Sequence, residues 1–345
     1  EGSICVNGQD ITCYREKEMQ KLRGRVFSMI FQDPMTSLNP TIKIGKQIGE
    51  AVVIHNKNYT KEQVNKKVLE LMELVGISHP KERYHQYPWQ FSGGMRQRCV
   101  LAIALACDPE ILFADEATTA LDATVEAKIL DLLLELREKT GISIVFISHD
   151  LGAVARIADR VAVMYAGKII EIGTAEDVYY DPRHPYTWGL LSSLPVFAGE
   201  KGELNPIPGM PPSLLNPPPG DAFAVRNPQA LAIDYEQTPP MFKVSDTHYA
   251  ATWLLDERAP KIEKPAILKD RLQENSGRKQ KLDKKEASFL QKTEQKQAPV
   301  LIEARNLKQH FRIRSDYTIH AVDDVSFRIR EGEIMALVGE TGCGK

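Results

Sequence analysis

The chain has 345 residues, of which 43% are apolar and 26% charged, and its formal net charge is −2. This length accommodates about two domains of roughly 150 residues each. The near-zero net charge gives no global basic field for nucleic acid, and no apolar run reaches the roughly 18 residues that span a bilayer. The five cysteines have no CxxC spacing, which disfavours a zinc cluster or a disulfide scaffold and suits a reducing compartment.

Residues 1–195 alternate between predicted strands and predicted helices. The strands are the apolar runs at 2–8, 26–31, 111–114 and 143–147, the first of which ends in an Asn-Gly turn. The helices are predicted from their apolar pattern at 61–75, 95–106 and 124–139. Continuous apolar strands are typical of a parallel sheet covered on both faces, and the strand–helix–strand order predicts an α/β fold.

The composition changes after this region. Eleven of the 21 prolines lie between Pro195 and Pro240, which excludes long helices and central strands and predicts a small, turn-rich appendage. Residues 261–298 contain 11 Lys/Arg and six Asp/Glu with few large apolar groups. They are predicted to form a linker, with a membrane-surface or RNA contact as the alternative. Strands are predicted again at 300–307, 320–329 and 333–338.

A phosphate-binding loop is predicted directly after the last of these strands. The residues that match G-x-x-x-x-G-K are Gly339, Glu340, Thr341, Gly342, Cys343, Gly344 and Lys345. Backbone N–H groups of such a loop surround phosphate oxygens, the glycines permit the close approach, and Lys345 adds a positive charge near the β- and γ-phosphates. These residues are therefore candidates for nucleotide binding.

Two carboxylates follow the apolar strand at 111–114. They would lie at the carboxyl edge of the sheet, where open α/β sheets bind ligands. Asp115 is a candidate Mg²⁺ ligand, and Glu116 is a candidate for polarising an attacking water. The pair by itself is also compatible with an ordinary buried strand end.

A second anion site is predicted at Ser92, Gly93 and Gly94, which precede a helix that continues through Gln97. A serine hydroxyl, glycine amides and a helix N-terminus together bind anions, although the fragment alone is compatible with an ordinary serine N-cap. Because the phosphate-binding loop already provides one phosphate site, this second one suggests that two domains share a nucleotide face to face.

Taken in order, these motifs resemble the ATP-binding cassette (ABC) family. Phe31-Gln32-Asp33-Pro34 resembles the Q-loop, the segment from Ser92 to Gln97 the signature motif, and Asp115-Glu116 the Walker B pair. Ala120-Leu121-Asp122 resembles the D-loop. His149, which lies 33 residues after Glu116, resembles the switch histidine. The resemblance implies a P-loop NTPase-type ABC nucleotide-binding domain with a helical subdomain.

The resemblance also implies cofactors and roles. ATP and Mg²⁺ are the expected cofactors, with Gln32 sensing Mg²⁺ and the transporter contact and His149 contacting the γ-phosphate. Glu116, His149 and Gln32 are the expected catalytic residues, and Asp115 and Gln32 the expected metal ligands. The expected nucleotide contacts outside the phosphate-binding loop are Ser92, Gly93, Gly94, Gln97, Asp122 and Tyr317. Tyr317, with Phe311 behind it, is the candidate for stacking on adenine, and an exposed loop tyrosine without a role is the alternative.

A closer resemblance is to the oligopeptide/dipeptide importer ATPases. The segment from Phe31 to Pro40 is similar to their extended Q-loop, and the segments from Asp181 to Leu190 and from Leu214 to Gly220 resemble their C-terminal extension. Ala117 stands where the family usually has proline after the Walker B glutamate. Many members hold an iron–sulfur cluster in the extension with four cysteines, and the aligned residues here are Asp221, Asn227, Asp234 and Thr252. No iron–sulfur cluster is therefore expected, and the extension is expected to pack through Phe223, Tyr235, Phe242 and Trp253.

Four segments are expected from these boundaries. They are a first ABC ATPase domain at 1–195 without its own P-loop (helical subdomain about 41–100), a Pro-rich extension at 196–260, a charged linker at 261–298, and the N-terminal part of a second ABC domain at 299–345. We expect a piece of a tandem protein that hydrolyses ATP poorly by itself. Alternatively, residues 299–345 supply the strands and the P-loop that residues 1–195 lack, and so complete the first domain within the same chain.

The resemblance implies the ATPase subunit of a peptide importer on the cytoplasmic face of the membrane. Two transmembrane permease subunits, an extracytoplasmic peptide-binding protein and a second nucleotide-binding domain are the expected partners, and no nucleic acid is expected. The segment from Leu38 to Ala51 is the expected docking surface for a permease helix, or else it packs within the helical subdomain. The alternatives are a soluble ABC ATPase that acts on nucleic acid or ribosomes, and a catalytically incomplete fragment. The transported solute could be a peptide or nickel.

Overall fold

The structure, a computed structural model, describes residues 1–32, 37–118, 122–194, 206–265, 268, 298–314 and 317–344. Parts of five predicted features lie outside these residues: the extended Q-loop at 33–36, Ala120 and Leu121 of the D-loop, residues 196–205 of the Pro-rich extension, most of the charged linker, and Lys345. The chain forms two compact units. The helical unit comprises Cys13–Ser148 and Glu331–Ile334, and the β-rich unit comprises Glu1–Thr12, His149–Arg330 and Met335–Lys345.

Helices and strands alternate through much of the described chain. The helices are α1 Glu16–Leu22, α2 Ile44–His55, α3 Lys61–Leu74, α4 Pro80–Arg83, α5 Gly93–Ala104, α6 Ala123–Thr140, α7 Leu151–Ile157, α8 Ala175–Tyr180 and α9 Pro185–Ser192. The strands are β1 Ser3–Val6, β2 Gln9–Asp10, β3 Phe27–Ile30, β4 Ile111–Asp115, β5 Ser143–Ser148, β6 Arg160–Tyr165, β7 Lys168–Thr174, β8 Phe242–Lys243, β9 Tyr249–Ala250, β10 Val300–Arg314, β11 Tyr317–Arg330 and β12 Ile334–Val338. Among the described residues, no helix has both the length and the apolar character needed to cross a bilayer.

The helical unit contains three parallel strands in the order β3–β4–β5. The middle strand is buried along most of its length: Ile111, Leu112 and Ala114 have no exposed surface. Strands that are covered on both faces carry continuous apolar runs rather than alternating ones. The parallel α/β arrangement predicted from the apolar runs at 111–114 and 143–147 is confirmed.

Side-chain caps fix where the helices of this unit begin. Thr60 and Gln63 form a reciprocal capping box at the start of α3, and Asp122 accepts backbone N–H bonds at the start of α6. Ser92 caps α5, so this helix begins two residues earlier than its apolar pattern indicated. The sequence did not indicate this boundary, because the helix begins with two glycines and glycine has low helix propensity.

The β-rich unit contains two sets of paired strands. One is antiparallel, in the order β11–β10–β1–β2. In the other, β12 pairs parallel with β6, while β7, β9 and β8 continue with antiparallel pairing. Strands of the later part of the chain therefore pair with strands of its beginning and its middle. The four-segment division of the chain stays a prediction.

The β6–β7 hairpin was not predicted from the sequence. All residues from Val161 to Tyr165 are buried, so the strand shows no period-2 alternation and resembles a buried helix segment. Its turn is formed by Ala166 and Gly167, both at positive φ (48° and 80°). This combination matches the type I′ turns that suit the twist of antiparallel hairpins.

The Pro-rich extension is irregular, as predicted. Between residues 206 and 240 the described chain has only short 3-10 turns, at Ala224–Arg226 and Ala232–Tyr235. Phe223 is buried against the rings of Tyr165 and Tyr186, each with a centroid 5.4 Å away. Phe242 and Trp253 pack edge to face at 6.0 Å. Tyr235 is 52% exposed, but it still contacts the extension, since its hydroxyl donates to the carbonyl of Ala224 at 3.4 Å.

The four polar residues at the aligned cysteine positions are all buried and close local turns. Asp221 accepts the N–H of Phe223 at 2.9 Å, Asn227 that of Gln229 at 3.0 Å, Asp234 that of Leu231 at 2.6 Å and Thr252 that of Leu254 at 3.3 Å. Side-chain oxygens of Asp, Asn and Thr stabilise turns in this way. Buried side-chain oxygen acceptors thus stabilise the turns of the extension.

Asp221→Asn should stabilise the protein at neutral pH. Burial raises the pKa of the Asp221 carboxyl from 3.8 to about 6, so between these values the folded state binds a proton that the unfolded state releases. The free energy of unfolding of the parent protein therefore falls as the pH rises through this window. Asparagine keeps the acceptor for the Phe223 N–H and does not ionise. We expect a gain of about 1–3 kcal/mol at pH 7.

Urea unfolding at a series of pH values measures this effect. Asp131→Asn on the exposed side of α6 is the matched control and should keep the parent pH profile. If Asp221→Asn and the parent protein respond identically to pH, the buried carboxyl is not the source of the pH dependence.

Candidate functional site

Glu116 has an unusual backbone conformation directly after β4. Its φ is +46°, a region that side chains other than glycine rarely occupy. The residue is buried, and its N–H donates to the carbonyl of Ile147 on β5 at 2.9 Å. Such conformations persist only where the surrounding structure holds them, and they concentrate at functional sites.

Gln32 meets Glu116 at the carboxyl edge of the parallel strands. Its amide Nε2 donates to Glu116 Oε2 at 2.9 Å. Gln32 follows β3 and Glu116 follows β4, and these two strands are parallel neighbours, so their ends reach the same edge. Asp115 is the last residue of β4 and lies half-buried opposite Ile147. The structure therefore brings together three of the predicted site residues.

The signature segment is an exposed helix start. Ser92 caps the 12-residue helix α5, and its Oγ accepts the N–H of Met95 at 3.4 Å. A Cβ at Gly93 would meet open space, whereas a Cβ at Gly94 would lie 2.6 Å from Cγ1 of Val125 on α6. Gly94 is therefore required by helix packing, and Gly93 keeps the backbone at the helix start accessible to an anion.

Gln97 occupies a different environment from the other signature residues. Its side chain is 1% exposed, and its Nε2 donates to the carbonyl of Ala117 at 2.7 Å. This bond connects α5 to the residue that follows Glu116. The amide expected from the sequence to contact nucleotide thus bonds to the protein itself.

Asp122 and His149 are both exposed. Asp122 Oδ1 accepts the N–H groups of Thr124 and Val125 at 3.1 and 3.0 Å, and so caps α6. His149 directly follows β5 and belongs to the β-rich unit, unlike Glu116. Their roles toward a nucleotide stay predictions.

The phosphate-binding loop turns sharply after β12. Gly342 and Gly344 have φ of +86° and +93°, and a Cβ at Gly344 would lie 2.1 Å from the carbonyl oxygen of Ala321. At Gly339, a Cβ would lie 2.4 Å from the carbonyl oxygen of Met164. Glycine is required at these positions because the backbone packs directly against neighbouring strands. The sequence assigned these glycines to the close approach of a phosphate, and that role stays a prediction.

The candidates for adenine stacking lie on the β10–β11 hairpin. Tyr317 begins β11 and is 52% exposed, and Phe311 on β10 is 54% exposed. Both rings are accessible for stacking on a planar ligand. Their contact with adenine stays a prediction.

Arg226 of the extension was missed by sequence analysis, although it binds the phosphate-binding loop. Its guanidinium pairs with both oxygens of Glu340, Nη1 to Oε2 at 2.7 Å and Nη2 to Oε1 at 3.1 Å. Nη1 also donates to the hydroxyl of Tyr165 at 3.2 Å. The N–H of Glu340 donates to the hydroxyl of Tyr186 at 2.9 Å. The Arg226 side chain is only 4% exposed. Arg226 and Glu340 therefore form a largely buried, bidentate ion pair, in which the two hydrogen bonds also fix the geometry.

Arg226→Met should destabilise the protein by about 2–4 kcal/mol, because it leaves the Glu340 carboxylate unpaired in a partly buried position. The double variant Arg226→Met with Glu340→Met should recover part of this loss, since it removes the unpaired charge as well. Chemical unfolding of the two single variants and the double variant measures the coupling.

The Arg258–Asp256 pair provides a matched control, because the Arg258 side chain is 84% exposed. Arg258→Met should leave the free energy of unfolding nearly unchanged, because solvent screens an exposed ion pair. Equal losses for Arg226→Met and Arg258→Met would contradict the assignment of a strong buried pair.

Comparisons with known proteins agree with these features. The ABC transporter family matches residues 1–119, and the oligopeptide/dipeptide transporter C-terminal region matches residues 170–233. The oligopeptide transport ATP-binding protein OppD of Bacillus subtilis (strain 168) is 58% identical over 79% of this chain and 76% of its own length. The dipeptide transport ATP-binding protein DppD of Lactococcus lactis subsp. cremoris is 58% identical over 76% of this chain and 75% of its own length. The chain therefore belongs to the ABC transporter ATP-binding proteins, in the group that carries the oligopeptide/dipeptide transporter C-terminal region.

Proposed function

We propose that this chain is the ATP-binding and ATP-hydrolysing component of a membrane importer of oligopeptides or dipeptides. The observation that carries the proposal is the 58% identity to OppD over most of both chains, joined to the Gln32–Glu116 contact at the strand edge. The names of the relatives favour a peptide importer over a soluble ATPase that acts on nucleic acid or ribosomes.

ATP binding is assigned to the phosphate-binding loop and to the signature helix start. In the proposal, the N–H groups of the loop and the Lys345 ammonium hold the phosphates, while Ser92 and Gly93 contact a nucleotide from the opposite side. Each complete site then requires two nucleotide-binding domains.

The donor atoms at the strand edge suit a Mg²⁺ ion. Mg²⁺ prefers oxygen ligands, and Asp115 supplies a carboxylate at the end of β4. Gln32 uses its amide nitrogen toward Glu116, which leaves its oxygen as the ligand atom. When bound, Mg²⁺ would neutralise phosphate charge. Glu116 would orient and polarise the attacking water, and His149 would contact the γ-phosphate, so that positioning and electrostatics dominate the catalysis.

The proposed partners are two permease subunits, an extracytoplasmic peptide-binding protein and a second nucleotide-binding domain, with the chain at the cytoplasmic face of the membrane. The apolar side chains of the expected docking segment point inward: Leu38 is 3% exposed, and Ile44 and Ile48 are fully buried. The exposed apolar side chains lie at Val53, Ile54 and Tyr59 instead.

A cavity of about 1090 Å³ adjoins this surface and is lined by Ile54 and Tyr59 together with the basic residues Arg23, Arg25 and Lys57. An apolar surface rimmed by positive charge suits an amphipathic permease helix that carries acidic groups. We therefore place the docking surface at the end of α2 and beyond it, rather than at the beginning of α2.

Glu116→Gln should retain nucleotide binding and lose hydrolysis. The amide keeps the size of the side chain but cannot polarise water as a carboxylate does, so we expect turnover to fall by about 10²–10⁴-fold. Nucleotide affinity is measured on the purified chain with a fluorescent ATP analogue and Mg²⁺. Hydrolysis is measured on the chain assembled with its transmembrane subunits.

The exposed Glu138 on α6 provides the control Glu138→Gln, which should leave both quantities unchanged. Unchanged turnover in Glu116→Gln would exclude Glu116 from the reaction. Failure of the parent chain to bind the ATP analogue would contradict the proposed function itself.

Ile54→Glu should prevent co-purification with the transmembrane subunits, because it places a charge in the apolar part of the docking surface and repels acidic groups of the partner. Met210→Glu is the control, since Met210 is 86% exposed and lies on the extension. Equal recovery of the complex with Ile54→Glu and with Met210→Glu would exclude this docking surface.

A further inference from the structure

Two histidines and an aspartate converge on the β10–β11 hairpin, outside the proposed ATP site residues. The ligand atoms of His310, His320 and Asp323 all lie within 4.8 Å of one another. His310 and His320 face each other across the two strands, with ring centroids 4.1 Å apart. His310 Nε2 is 3.5 Å from Asp323 Oδ1. No residue of this cluster has a role in the proposed ATP hydrolysis.

A β-bulge is what places His320 and Asp323 on one face of the hairpin. In a regular strand, residues three apart point to opposite faces, because side chains alternate with a period of two. Here Gln309 pairs with Val322, while the next residue, His310, pairs with His320. Ala321 is therefore an extra residue on β11, and it reverses the alternation between His320 and Asp323. Bulges re-aim side chains in this way and occur next to functional sites.

The surroundings of Asp323 hold its carboxylate toward the histidines. The Asp323 N–H donates to the Gly167 carbonyl at 2.8 Å, which fixes the backbone. Lys168 Nζ lies 3.7 Å from Oδ2, whereas Lys308 Nζ lies 3.8 Å from Oδ1, the oxygen that faces His310. A bound cation at Oδ1 would displace only the Lys308 ammonium, whose side chain is 36% exposed and can turn into solvent. Lys168 would remain on the other oxygen and orient the carboxylate.

We propose that His310, His320 and Asp323 bind a divalent transition-metal ion, with Zn²⁺ as the reference case. Two imidazole nitrogens and one carboxylate oxygen are ligands that Zn²⁺ accepts, and water fills the remaining position of a partly exposed site. The same set also accepts Cu²⁺, Ni²⁺ and Co²⁺, whereas two nitrogen ligands disfavour Mg²⁺ and Ca²⁺. The imidazoles bind in the neutral form, so any proton on a ligating nitrogen is released to water when the metal binds.

The site would act on the structure beside the phosphate-binding loop. All three ligands come from one hairpin, so the metal links β10 to β11 without residues from elsewhere in the chain. The bulge residue Ala321 is also the one whose carbonyl oxygen lies 2.1 Å from the position of a Cβ on Gly344. Metal binding would therefore fix the strand segment against which this glycine packs. The inference does not depend on the proposed function, since metal binding requires neither ATP nor a partner.

Isothermal titration of the full chain with Zn²⁺, without nucleotide, tests the proposal. We expect one tight equivalent per chain, and a loss of affinity of at least about tenfold in each of His310→Gln and His320→Gln, because each removes one of three protein ligands. Asp323→Asn should weaken binding less, since the amide oxygen remains a neutral ligand. His85→Gln is the matched control, as His85 is an exposed histidine of the helical unit, and it should bind Zn²⁺ like the parent.

Two further measurements separate loss of the site from loss of the fold. Thermal unfolding without metal should be similar for the parent and the double variant His310→Gln/His320→Gln, whereas added Zn²⁺ should raise the melting temperature of the parent alone. Electron paramagnetic resonance of the Cu²⁺-loaded parent should show two imidazole nitrogens, and each single histidine variant should show one. Equal Zn²⁺ affinity in the parent and the double variant would overturn the proposal, as would a Cu²⁺ spectrum unaltered by either substitution.

Discussion

Parallel pairing of β3 with β4 is the constraint on which the candidate site of the helical unit depends. The pairing places Phe27 beside Ile111, so that both strands end at the same edge of the sheet. Gln32 and Glu116 meet at this edge, although 84 residues separate them in sequence. The left-handed backbone of Glu116 is held there by a bond to β5 and, through Ala117, by the buried Gln97. The signature helix therefore supports the end of β4 in addition to presenting Ser92 to solvent.

In the β-rich unit, close packing of the backbone against neighbouring strands determines the conformation of the phosphate-binding loop. The phosphate-binding loop leaves no room for a Cβ at Gly339 or Gly344, and the Pro-rich extension adds the Arg226–Glu340 ion pair to its second residue. The extension is thus a structural support of the loop as well as a feature of the oligopeptide/dipeptide group. Its own turns depend on buried oxygen acceptors such as Asp221.

In the β10–β11 hairpin, a β-bulge brings together the ligands of the proposed metal site. One extra residue, Ala321, brings His320 to the same face as Asp323 and opposite His310. The same residue abuts Gly344 of the phosphate-binding loop. A regular hairpin with the same sequence would have separated these ligands, so the proposed metal site is a property of the register rather than of the composition.

The sequence by itself determined the α/β class, the buried parallel strands β4 and β5, the glycine-dependent loop and the resemblance to ABC ATPases, because these depend on local periodicity and on short motifs. Only the tertiary structure decided that Gln97 is internal, that Tyr235 is exposed, that Arg226 pairs with Glu340 across 114 residues, and that a bulge aligns His320 with Asp323. The physical reason is that contacts and strand register arise from packing between distant segments, and a long sequence separation leaves no periodic signal for them.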